Sequence, residues 1–136
     1  MSARSDLLTN MVNQWSNRTE YLVHRGPLNW ATFDFDSHPQ AVSIMQEQGN
    51  FGELFGKFDQ GTFAWEVFAK TGMSAIDDNV TDHMIADAKG VIRELHTLVN
   101  ASQDAVMLKA DSFTWSEVSD TTMQVQGVII QFDVTY

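Results

Sequence analysis

The chain has 136 residues, 43% apolar and 11% aromatic, which is enough to bury one core and excludes a disordered chain. Eight basic against 18 acidic residues give a formal charge of −10, a poor balance for gripping nucleic acid, because phosphate affinity comes mainly from Lys and Arg. No apolar run approaches the ~20 residues of a membrane span; MSARSDLLTN lacks the apolar segment of a secretory signal; and without cysteine there is neither a disulfide framework nor a thiolate metal site.

Leu7, Leu8, Met11, Val12 and Trp15 fall on one stripe of a helix. Ser5 is the expected N-cap, and Asp6 suits the positive end of the helix dipole. Glu20 to His24 is a short β-prone run closed by Gly26-Pro27. In Leu28 to Gln40, Phe33 and Phe35 alternate with Asp34 and Asp36, so the segment reads as a loop or an edge strand. Asp34, Asp36 and His38 can be drawn as a metal site, yet no fourth ligand lies nearby.

Ala41 to Gln46 reads as a strand. Glu47 to Gly61 follows as a loop with Gly49, Gly52, Gly56 and Gly61 between Phe51, Leu54, Phe55 and Phe58. The glycines fit no phosphate-binding pattern. The four large apolar side chains need cover, either from a partner surface or from the domain's own sheet. Phe51, Leu54, Phe55 and Phe58 are therefore the candidate partner-binding residues. Thr62 to Lys70 is a strand with Phe63, Trp65, Val67 and Ala69 on one face.

Ser74, Asp77, Asp78 and Asn79 are helix-start residues, and the 3.6-residue period from Met84 to Val99 predicts a helix over Val80 to Asn100. Gly90 inside it is expected to mark close packing on the sheet. His83 and Asp87 share a helix face but lack a third partner, so they read as solvated residues and no metal is assigned to them. Ser112 to Val118 alternates, and Ser119-Asp120-Thr121 turns the chain into a final strand. There, Met123 and Val125 are out of phase with Val128, Ile130, Phe132 and Val134, which predicts one long strand bulged near Gly127. The sum is an α+β domain over residues 1–136: a mostly antiparallel sheet of about five strands, packed by an N-terminal helix and one long amphipathic helix.

That order, with HPQAVSIM, TFAWEVFAK and the closing GVIIQFDVTY, resembles the tail-terminator and neck or tail-completion proteins of long-tailed bacteriophages. The resemblance covers most of the chain as a pattern, with the terminal strand the most specific part and EYLVHRGPLNWATFDFD the least. It implies a structural virion protein, not an enzyme, that forms a ring of six at the head-proximal end of a tail. Such a ring ends tube polymerisation and joins tail to neck. Implied partners are further copies of the chain, the tail tube protein and neck or connector proteins, with DNA passing through the lumen without specific binding. No cofactor, membrane or metal is implied, and assembly would take place in the host cytoplasm. A head-side neck adaptor is the alternative within the class. A small α+β enzyme or ligand-binding domain, or an adaptor with a peptide-binding sheet edge, are alternatives outside it.

Overall fold

The computed structural model describes residues 3–51, 59–71, 76–101, 107–108, 113–120 and 122–136. Helix α1 (Ala3–Ser16) leads into β1 (Leu22–Arg25), β2 (Gln40–Asn50) and β3 (Gln60–Lys70). Helix α2 (Asp78–Ala101) follows, then β4 (Met107–Leu108), β5 (Thr114–Asp120) and β6 (Val125–Thr135). The sheet order is β1-β2-β3-β6, with β5 and the two-residue β4 sharing the outer edge of β6. Only β1 against β2 is parallel; the remaining pairs are antiparallel. The α+β class and the mostly antiparallel sheet expected from the residue pattern are both present.

Both helices cover one face of the sheet. The registers Phe63↔Phe132, Trp65↔Ile130 and Val67↔Val128 put these side chains on a common face, continued by Val42 and Ile44 of β2. Leu7, Leu8, Met11 and Trp15 of α1 and Met84, Ala88, Val91 and Leu95 of α2 close over them as one core. The two stripes read from the sequence are thus the two buried helix faces. Trp15 stands edge-on to Trp65 at 5.6 Å and to Tyr21 at 5.3 Å, the favoured geometry for aromatic pairs.

The opposite face is covered in part by residues 30–36. Trp30 lies 4.2 Å from Phe68 and donates its indole N–H to Glu66 at 2.6 Å, while Phe35 is buried beneath. This aromatic loop, not an edge strand, is the form Leu28 to Gln40 takes before β2 begins.

Several local expectations are corrected. Ser5 lies inside α1, which already runs from Ala3, so it does not cap the helix. The segment read as a loop from Glu47 to Gly61 begins and ends as strand, with Gly49 opposite Gly61 and Asn50 opposite Gln60. Strand β5 runs on through Asp120, and residues 122–124 turn, with Gln124 at φ 56°. The Asp120 carboxylate accepts the N–H groups of Thr122 and Met123 at 2.9 and 3.1 Å. The glycine in α2, Gly90, is approached by the Arg18 guanidinium and not by the sheet. Arg18 there donates to both oxygens of Glu94 at 3.1 Å.

The most informative correction concerns β6. Its register against β3 runs without a break from Val125 to Thr135, so Gly127 is not a bulge. The break in register lies in β2, between Gln46 and Gln48. The apparent phase shift in β6 arises because Gln126 faces the core. Its amide oxygen accepts the Asp77 N–H at 2.9 Å, and its nitrogen donates to the Asp77 carbonyl at 2.9 Å and to Thr81 Oγ1 at 2.8 Å. Asp77 is the N-cap of α2: its carboxylate accepts the Asn79 N–H at 3.0 Å. A buried side-chain amide therefore ties the start of α2 to the middle of the sheet. Gly127 lies on the other face, where a Cβ would run into the Val67 carbonyl and sit 2.9 Å from the Phe68 ring.

Candidate interaction surfaces

β2, β3 and β6 reach the same end of the sheet, where Asn50 pairs with Gln60 and Gln60 with Thr135. One step further, Asp59 N–H donates to the Tyr136 carbonyl at 2.7 Å, and Tyr136 N–H returns a bond to Asp59 at 2.9 Å. Gln46 adds a second brace, donating to the Tyr136 hydroxyl at 2.9 Å while accepting from Arg4 of α1. Arg4, Gln46, Glu47, Asn50, Phe51 and Tyr136 enclose most of an open cleft of about 330 Å³. Phe51 is 92% exposed at the outer end of β2. The other three candidate partner-binding residues, Leu54, Phe55 and Phe58, lie outside the described residues.

A second surface was not anticipated from the sequence. Helix α2 packs over β6, and β5 flanks β6 with six of its seven residues exposed and Val118 half-buried, so an apolar groove remains between helix and strand. Ile85, Ala88, Ile92, Phe113, Trp115 and Ile130 form its apolar wall, a space of about 310 Å³. Phe113 is anchored by stacking on Phe132 at 4.6 Å, whereas Trp115 is left 56% exposed. The alternation of Phe113 and Trp115 marks the strand but carries no sign that Trp115 stays exposed beside α2. Lys89 and Arg93 rim the groove, and among the described residues neither enters an ion pair.

The third feature is a polar cluster at the junction of the α1–β1 connection with α2. The sequence offered His83 and Asp87 without a third partner; the fold supplies Glu20. His83 Nε2 lies 2.9 Å from Glu20 Oε1 and 3.2 Å from Asp87 Oδ2. The Tyr21 hydroxyl donates to that same Asp87 oxygen at 2.8 Å. Burial, then Asp87, push the Tyr21 phenol above its ordinary value and keep it a donor. Asp34, Asp36 and His38, drawn together in the sequence, are held apart by other bonds. Asp34 accepts the Ser37 N–H at 3.2 Å and Asp36 pairs with Lys70. Among the described residues the one compact trio of metal-ligating type is Glu20, His83 and Asp87.

The hydrogen bond to Glu20, with the charges of Asp87 and Glu20, raises the His83 pKa above its usual value against a smaller opposing effect of burial. The stabilisation is then complete below the unfolded imidazole pKa and is lost as pH rises through the higher folded one. His83→Gln should therefore reduce stability in metal-free buffer more at about pH 5.5 than at about pH 8.5. The effect should be small, because His83 and Glu20 are each nearly half exposed. Equal losses in urea titrations at the two pH values would contradict this role.

Among the described residues, no helix is long and apolar enough to cross a membrane. Compared with known proteins, the chain matches no protein-family model and no curated sequence.

Proposed function

We propose that this chain is a structural virion protein that forms a ring at the head-proximal end of a phage tail, ending tube polymerisation and joining tail to neck. The observation that carries the reading is the pair of unlike apolar surfaces on one protomer: a projecting aromatic at Phe51 and an unfilled groove at Trp115. A surface that is not self-complementary makes head-to-tail contacts, and these close into a ring when the rotation per subunit permits. Charge is complementary as well. Glu47, Asp59 and Arg4 line the cleft beside Phe51 with one net negative charge, whereas Lys89 and Arg93 rim the groove in a chain of net charge −10.

The resemblance of HPQAVSIM, TFAWEVFAK and GVIIQFDVTY to tail-terminator and neck proteins supplies the setting. Six copies carry 6 × (−10) = −60 formal charges, and an acidic lumen repels passing DNA and keeps it from sticking. Partners in this reading are the tail tube protein on one axial face and neck or connector proteins on the other. The same lateral contacts serve a head-side neck adaptor, which differs in what the axial faces meet.

Replacing residues 51–58 with a Gly/Ser linker tests the hairpin. The flanking strands pair from Gln40↔Ala69 to Asn50↔Gln60 without it, so circular dichroism should stay near native. Ring formation should be lost, together with control of tube length, because Phe51 no longer leaves water at ~25 cal/mol per Å². Trp115→Ser should give the same outcome from the opposite side of the contact. A linker variant that still caps tails normally would sink the assignment, and one that unfolds would show that this segment holds the protomer together instead.

A further inference from the structure

We propose that Glu20, His83 and Asp87 bind a divalent first-row transition ion, with Zn²⁺ the natural probe. This inference stands independently of the ring-forming reading.

The donor atoms already lie where a metal needs them. Nitrogen and oxygen ligands sit ~2.0–2.2 Å from Zn²⁺, so adjacent ligands on one ion are about 3.0–3.5 Å apart. His83 Nε2 is 2.9 Å from Glu20 Oε1 and 3.2 Å from Asp87 Oδ2, and all three atoms lie within 4.8 Å of one another. Two come from one turn of α2 at i and i+4, and the third arrives from the segment entering β1.

The single Nε2 proton is shared with Glu20 at 2.9 Å, while Asp87 Oδ2, 3.2 Å from the same nitrogen, takes its hydrogen bond from Tyr21. A cation replacing that one proton would attract all three ligand atoms at once.

Two further features fit an ion. The Tyr21 hydroxyl donates to Asp87 Oδ2 at 2.8 Å, the kind of outer contact that fixes a ligating carboxylate. Tyr21 is itself fixed by the Trp15 ring, so this support is rigid. Glu20 and His83 are 45% and 49% exposed, which leaves a route in and room for water at the remaining coordination positions. One imidazole with two carboxylates favours Zn²⁺ or Co²⁺ over Mg²⁺ and Ca²⁺, which prefer all-oxygen sites. Bound metal would join residue 20 to residues 83 and 87, pinning the α1–β1 connection to α2.

The test is calorimetric titration of ZnCl₂ into the full chain after removal of metal by chelator and dialysis. The expected result is one ion per chain, with a rise in melting temperature of about 10 °C at a hundredfold excess over Kd. His83→Ala and Glu20→Gln should each weaken binding by more than about 100-fold, and Tyr21→Phe by about 10-fold with its packing kept. Co²⁺ should give a visible absorption band that the same variants lose. Absence of Zn²⁺ binding would overturn the proposal. So would binding unchanged in both His83→Ala and Glu20→Gln, which would move the ion to His24, His38 or His96.

Discussion

Phe132→Ala should lose about 3–5 kcal/mol of stability, the range for deleting a fully enclosed aromatic side chain. Phe132 is 2% exposed and lies among three rings: Phe113 stacked at 4.6 Å, Trp65 edge-on at 4.8 Å and Phe63 stacked at 5.8 Å. Phe63 and Trp65 are held by β3 and Phe113 by the segment entering β5, so they cannot collapse together into the space left behind. Phe113 also forms one wall of the groove, and the substitution should loosen that wall. Gln131→Ala, one residue away, removes an exposed side chain whose amide donates to Glu47 at 3.2 Å. Its cost should stay within about 0.5 kcal/mol. Urea titrations of the two variants check the assignment of faces, and equal losses would overturn it.

The second large effect is expected at a polar residue. Gln126→Leu keeps the volume but strips the amide that serves the Asp77 N–H, the Asp77 carbonyl and the Thr81 hydroxyl. Thr81 is buried, so its hydroxyl loses a partner where water does not replace it. Each buried group left unsatisfied costs about 1–3 kcal/mol, and a total of about 2–4 kcal/mol is expected once the more exposed Asp77 is allowed some water. Gln126→Glu should be no better, because a carboxylate cannot donate to the Asp77 carbonyl and would bury a charge. Amide hydrogen exchange should show the first turn of α2 opening more readily in both variants. A Gln126→Leu protein as stable as the parent would mean that the amide does not hold the helix start.

That residue also shows where reading the chain reaches its limit. Periodicity revealed both helices, because Leu7, Leu8, Met11 and Trp15, and likewise Met84, Ala88, Val91 and Leu95, repeat at helical spacing and are buried. It revealed β3 and most of β6 for the same reason, since Phe63, Trp65, Val67, Val128, Ile130 and Phe132 alternate. Gln126 broke the rule because a buried glutamine in a strand resembles one facing solvent, and its partners lie 45 to 49 residues away. The pattern therefore points to an irregularity at Gly127, whereas the real one is in β2 beside Glu47.

The surfaces were legible to different degrees. Phe51 stood out as a large apolar residue among glycines, and it is exposed. The groove did not stand out, because it depends on how far α2 reaches across the sheet, which no local pattern encodes. Glu20 was invisible as a companion of His83 because 63 residues separate them. A signal did exist in the neighbouring Tyr21, an aromatic whose hydroxyl needs a partner once its ring is buried.

In the proposed ring, unlike surfaces on neighbouring protomers meet head to tail. Sedimentation velocity of the purified full chain, over a concentration series reaching the millimolar range, reads its closure. The expected result is a concentration-dependent shift from the 15.3 kDa protomer to a single closed species of about 92 kDa, six protomers, with no larger polymer beyond it. Sedimentation as a 15.3 kDa monomer at every concentration, both alone and in the presence of assembled tail tube, would contradict it.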